Sequence, residues 1–205
     1  MVKERSIDRA SQEMLKRAEE AHLETAWDRL ELQQPQCGFG QLGICCRICN
    51  MGPCRIDPFV KGPQRGVCGA DADTIAARNL ARMIAAGAAA HSDHGRDVAH
   101  ALLLAASGES DYQIQDPVKL REVARAYGIG LDGASDREIA KALAERALAD
   151  FGQQEGELEL ALQAPKKRVE RWRELGVIPR GIDREVVEIM HRTHMGVDTD
   201  YRNII

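Results

Sequence analysis

The sequence predicts an all-α fold, an N-terminal helical domain carrying a cysteine-rich loop, and three observations support that prediction. Residues 70–107 form an alanine-rich run without proline, the composition that favours an uninterrupted helix. Two later segments open with helix-start chemistry. Asp116-Pro117 is a capping carboxylate followed by a first-turn proline, and Ser135-Asp136-Arg137-Glu138 has the capping-box form. No stretch alternates apolar and polar residues long enough to name a strand, and there is no internal repeat. On this reading the chain divides into an N-terminal helix (1–35), a cysteine loop (36–70) and a helical domain (71–205).

Taken in order, residues 6–34 read as one long amphipathic helix, with Ile7, Ala10, Met14, Ala18, Ala21, Thr25 and Leu32 near one stripe. It ends before Pro35 and serves packing or dimer contact, and His22 within it is an exposed or half-buried polar residue. Past the cysteine loop, Asp71 and Asp73 are candidate caps of a helix to Ser107, with Gly87 and Gly95 as points of division. A helix from Pro117 stops near Tyr127, before Gly128 and Gly130. The helix after Ser135 runs to about Phe151 and carries Ile139, Leu143 and Leu148 on its apolar side. From 157 to 175 a further helix is expected, broken or kinked at Pro165, and Asp183 then caps a last helix through His194. Lys166, Lys167, Arg168, Arg171 and Arg173 read as a solvated face. His191 and His194, three apart, read as polar packing at an interface, because no acidic or cysteine partner lies near them in the sequence.

Composition excludes several classes of function. The 205 residues are 44% hydrophobic and 29% charged, with 28 basic against 32 acidic side chains and a net charge of −4. That balance offers nucleic acid no general attraction. The longest apolar stretch, Met83 to Ala90, is too short to span a bilayer. Residues 1–30 are charged throughout and lack the apolar core of an export signal, so a cytoplasmic, reducing environment is expected. No phosphate-binding glycine loop, dinucleotide fingerprint or serine nucleophile motif is present.

All six cysteines lie between 37 and 68, in CGFGQLGICCRICNMGPCRIDPFVKGPQRGVC. In a reducing compartment such a concentration of thiols serves metal or redox chemistry in place of disulfides. Cys46, Cys49, Cys54 and Cys68 make one complete set of four thiolates, which fits a [4Fe-4S] cluster, although a structural zinc site also accepts it. Cys37 and Cys45 are left over. Cys45 and Cys46 are adjacent, with Cα atoms about 3.8 Å apart, and better serve two neighbouring sites than one. If the leftover pair meets its copy across a two-fold axis, four thiolates can hold one cluster shared by two chains. A lone [2Fe-2S] cluster with ligands from elsewhere is the alternative. Glycines through the loop permit close approach of backbone N–H groups to cluster sulfur, and Pro53, Pro58 and Pro63 stiffen the path.

The segment CGFGQLGICCRICNMGPCRIDP, followed by GPQRGVCGADADTIAARNLARMIAAGAAAHSDHGR, resembles the N-terminal region of anaerobic nickel-iron carbon monoxide dehydrogenases, and MHRTHMGVDTD at 190–200 is similar to later family sequence. The resemblance implies a homodimer that oxidises carbon monoxide with water to carbon dioxide, two protons and two electrons. It implies that Cys46, Cys49, Cys54 and Cys68 hold an intrasubunit [4Fe-4S] relay cluster. Cys37 and Cys45 would hold half of an intersubunit [4Fe-4S] or [2Fe-2S] cluster, with electrons passing to a ferredoxin-like acceptor. Within HSDHGRDVAH, it makes His91 an acid-base group beside the nickel-iron-sulfur cluster and His94 part of a proton path. Asp97 stands where many members have a further histidine. The nickel-iron-sulfur cluster needs ligands downstream, and no cysteine follows Cys68. The expectation is therefore a truncated segment, inactive alone, that carries the relay clusters and the dimer contact. The two other classes in view are a stand-alone iron-sulfur electron-transfer protein and a zinc-stapled helical interaction module.

Overall fold

The computed structural model describes residues 5–205, apart from the side chains at positions 160 and 162. Of the predicted N-terminal segment, residues 1–4 lie outside it. The helices are α1 (Arg9–Glu20), α2 (Ala26–Leu32), α3 (Gly38–Gln41), α4 (Ala72–Ser107), α5 (Pro117–Ala126), α6 (Asp136–Gly152), α7 (Lys166–Leu175), α8 (Ile182–Arg192) and α9 (Tyr201–Ile204). A 3₁₀ turn covers Glu159–Gln163, and β1 (Cys45–Cys46) pairs antiparallel with β2 (Cys54–Arg55). The fold is helical, as expected.

α4 is the axis of the molecule. Its 36 residues span about 54 Å. The Asp71 side chain accepts from the Thr74 N–H at 2.9 Å to open it, and Gly108, in a left-handed conformation, closes it. Gly87 and Gly95 sit in its interior and neither divides it, because the alanines around them sustain the hydrogen-bond ladder. β1, α6, α8 and α9 all pack against this one helix. At its C-terminal end Ala106 joins Leu120 and Ala124 of α5 and Ile139, Ala140 and Leu143 of α6 in one core. At its N-terminal end Ile75 joins Ile44, Cys46, Ile56 and Ala70 in a second, smaller one.

The capped helices form where the sequence places them. The Asp116 side chain accepts from the Lys119 N–H, and Ser135 and Glu138 close a reciprocal capping box at the start of α6. The N-terminal segment differs, since 6–34 is two helices and not one. His22 takes a left-handed backbone, and Thr25 and Asp28 form a second capping box that restarts the helix three residues later. The 157–175 segment is broken at Pro165 as expected, with α7 starting just behind the proline, and its earlier part is a 3₁₀ turn in place of a helix. The helix expected to be the last, which the short, unpredicted α9 follows, is α8, and it begins at Ile182 behind Gly181. Asp183 lies in its first turn and does not cap it; its carboxylate receives two hydrogen bonds from Arg96 of α4, at 2.9 and 2.8 Å. The two-residue strands went unpredicted.

Two close contacts position connecting segments against the helices. Asn79 of α4 donates to the backbone carbonyls of Gly43 and Cys45 at 2.9 and 3.0 Å, which fixes the cysteine loop on the helix. At the other contact, Gly181 runs so close to the end of α6 that a Cβ there would press into the Gln153 carbonyl and lie 3.4 Å from that of Asp150. Gly181→Ala is therefore expected to cost about 1–3 kcal/mol by overpacking, while alanine at exposed Gly130, with nothing within 4 Å, stays within about 0.5 kcal/mol. Urea unfolding of the two variants checks the contrast. Asn79→Ala leaves two carbonyls without their donor and should cost about 1–3 kcal/mol. Iodoacetamide should then alkylate Cys46, 9% exposed in the native fold, faster than in the wild type.

Candidate metal centre

The cysteine loop folds as a tight hairpin whose register places Cys46 opposite Cys54. Cys49 lies in the turn between the strands, and Cys68 comes in from the segment just before α4. These four cysteines line a single pocket, closed by Ile75 and Arg78 of α4 and by Met195. Two glycines make the approach possible. A Cβ on Gly52 would meet the Cys46 carbonyl at 3.0 Å and the Cys54 nitrogen at 3.1 Å, and one on Gly66 would meet the Cys54 sulfur at 3.4 Å.

All six cysteines are free thiols. Among the described residues no three His, Cys, Asp or Glu side chains gather tightly enough to hold one metal ion. The pocket nevertheless sets four thiols along one lining, the ligand type and number that a [4Fe-4S] cluster or a structural zinc takes.

Hydrogen-bond donors are directed at the sulfurs. The Val67 N–H donates to Cys54 Sγ at 3.4 Å, and Arg78 Nη1 to Cys68 Sγ at 3.7 Å. Partial burial works against a Cys68 thiolate. The Ala70 N–H and the Arg78 guanidinium outweigh it and hold this thiol below its usual range. The same contacts therefore favour the thiolate, the form of a cysteine that can ligate a metal.

Cys37 and Cys45 lie outside this pocket. Successive side chains of a strand point to opposite faces, so the adjacency of Cys45 and Cys46 in β1 directs one away from the site that the other lines; Cys46 is buried and Cys45 half-buried. Cys37 is exposed at the start of α3. The N–H groups of Gly40 and Phe39, with a smaller contribution from the Arg55 charge, lower its thiol pKa.

His91, His94, Asp97 and His100 are exposed on α4. Thirteen residues separate Arg78 from His91, about 20 Å along the helix. His91 borders a second concavity of about 370 Å³ with Tyr127, Asp150 and Phe151, a concavity that His94 does not line. Burial, aided by the Asp150 charge, raises the Tyr127 phenol pKa. His191, in the last turn of α8, and His194 just beyond it are exposed, and neither lines the cysteine pocket that Met195 closes. Sequence reading missed Arg78 and Asn79, which touch the loop from α4. The available signal was their position as polar neighbours inside an alanine-rich helix.

Comparison with known proteins adds three findings. A family model described as the Prismane/CO dehydrogenase family matches residues 44–205. Among curated relatives, carbon monoxide dehydrogenase 1 of Methanosarcina mazei is 58% identical over 98% of this chain, and the carbon monoxide dehydrogenase of Rhodospirillum rubrum is 50% identical over the same share. The chain spans 32% of the length of each. Among solved structures, a nickel-free carbon monoxide dehydrogenase from Thermococcus sp. AM4 superposes with a TM-score of 0.88 at 54% identity, covering 97% of this chain and 32% of that one. A second, an acetyl-CoA synthase/carbon monoxide dehydrogenase described with nickel and [Fe4S4] clusters, gives 0.87 at 44% identity, covering 98% of this chain and 30% of that one. Together with the loop geometry, these matches show that the chain belongs to the Prismane/CO dehydrogenase family.

Proposed function

We propose that these residues form the cluster-holding, electron-relaying and dimer-forming part of a carbon monoxide dehydrogenase. The observation that supports this most is the pocket that Cys46, Cys49, Cys54 and Cys68 line together, with N–H donors directed at the sulfurs of Cys54 and Cys68. The donor set fits a [4Fe-4S] cluster, which when bound accepts and passes on single electrons. The hairpin supplies three of its ligands and the segment ahead of α4 the fourth. Ile44, Ile56 and Ile75 form the apolar layer behind the loop that excludes water from one side. Cys37 and Cys45, turned away from that pocket, supply half of a cluster shared with a second copy of the chain. Clusters bound at the two sites would supply one-electron chemistry, a path by which electrons from carbon monoxide oxidation would pass toward a ferredoxin-like acceptor. A nickel-iron-sulfur cluster would be held by residues beyond these 205. His91, bordering a cavity on α4, is the group that holds or gives up a proton there, and His94 hands it on.

Metal analysis of anaerobically purified protein tests the cysteine assignments. The Cys37→Ser/Cys45→Ser double variant should retain about four iron and four sulfide per chain and should lose, relative to wild type, one cluster per two chains. Stoichiometric zinc without sulfide would refute the reading, and loss of one cluster per chain would refute the sharing. In the full-length enzyme, His91→Ala should slow carbon monoxide oxidation by about a hundredfold or more, as for loss of an acid-base group, with metal content intact. Unchanged turnover would return His91 to a structural role.

A further inference from the structure

Among the described residues, Arg78 is a buried cation that no carboxylate pairs with. Its side chain is among the most completely enclosed in the molecule, at 1% exposure. A guanidinium cannot shed its charge at any ordinary pH, and a buried charge requires a partner of opposite sign. Among the described residues its hydrogen-bond partners are the backbone carbonyl of Asp198 and the sulfur of Cys68. Its Nε atom is buried and meets no hydrogen-bond partner among the described residues. Yet Arg78 lines the four-cysteine pocket, where it is the one basic side chain. A positive charge and an unused N–H are thus built into a site whose four thiols become anionic when they bind metal.

We propose that Arg78 is the counter-ion of the group held in that pocket and sets its reduction potential. The inference rests on the reading that Cys46, Cys49, Cys54 and Cys68 hold an iron-sulfur cluster. One-electron reduction adds a unit of negative charge to a site already carrying four thiolates. A fixed cation in contact with it stabilises the reduced form over the oxidised one, and hydrogen bonds to sulfur strengthen in the same direction. Arg78 therefore holds the potential up. It also holds the site to the C-terminal segment, because Thr74, one turn earlier on α4, donates to the Thr199 carbonyl at 2.8 Å beside the Asp198 carbonyl that Arg78 engages. Arg78 is a positioning and tuning residue and takes up no proton or electron.

The test is a dithionite titration, with redox mediators, of anaerobically purified wild type, Arg78→Gln and Arg78→Lys, followed by electron paramagnetic resonance of the reduced state. In Arg78→Gln the equilibrium constant for one-electron reduction at this site should fall about tenfold or more, each factor of ten lowering the midpoint by about 59 mV. Arg78→Lys keeps the charge and loses the planar fork, so its midpoint should lie between the other two. A purely structural role would lower iron per chain and leave the midpoint of the remaining clusters alone; that result overturns the proposal. Iron and sulfide at about four each for the pocket, with unchanged midpoints in both variants, overturns it as well while leaving the cluster reading standing. Wild type that binds zinc without sulfide overturns both. Where Arg78→Gln does not accumulate, Arg78→Lys decides alone, a lowered midpoint supporting the proposal and an unchanged one refuting it.

Discussion

The structure depends on a row of donors spaced four residues apart on the first turns of α4. Thr74, Arg78 and Arg82 lie on one face of the helix and reach the Thr199 carbonyl, the Asp198 carbonyl and the Thr193 hydroxyl in turn. These contacts join parts of the chain more than 100 residues apart in sequence. Thr193 is itself completely buried and donates back to the Ile189 carbonyl at 2.7 Å. Beside the row, Asn79 takes the carbonyls of Gly43 and Cys45. One short length of helix thus holds the cysteine loop and the C-terminal turn together. The apolar contact beneath is modest: the core at this end has only five buried members, one of them a cysteine. Polar geometry therefore sets the shape of the loop more than burial does.

The two ends of α4 are stabilised by different forces. Its C-terminal half sits in an apolar core with α5 and α6, where small alanines let the helices approach closely. Its middle is fastened by charge. Arg96 pairs with Asp183 and lies over the Phe151 ring with 5.0 Å to the centroid, which brings α8 and the end of α6 to the helix. By contrast α1 buries no residue and is tied down locally, by the Asp8 cap and the Arg9–Glu13 pair. Such a short helix is marginal alone in water, so its persistence depends on what it is placed against.

Much of this was legible from residues because capping chemistry is local. Asp71, Asp116 and Ser135 start helices through groups three residues away, and each stands where the sequence places it. The four pocket cysteines were legible for the same reason, as a spacing within one loop. The misreadings have a common cause in features too short or too distant to leave a periodic trace. His22 breaks the first helix with one left-handed residue, and the strands are two residues each. Asp183 reads as a cap in the sequence because its partner Arg96 lies 87 residues earlier. Arg78 and Asn79 escaped notice because nothing near them in sequence reveals what they touch.

The continuity of α4 has a consequence for how this chain can vary. One uninterrupted helix carries Arg78 and Asn79 against the cysteine loop and His91 against the cavity beside Tyr127 and Phe151. Each residue of a helix advances about 1.5 Å and turns about 100°. Deleting or inserting a single residue between 79 and 91 would leave both surroundings chemically intact and yet rotate one set of side chains by more than a quarter turn relative to the other. Substitutions along that stretch act one at a time, whereas a change of length acts on everything beyond it. The helix works as a phase-locked spacer, and the distance and angle between its two chemical ends are a count of residues.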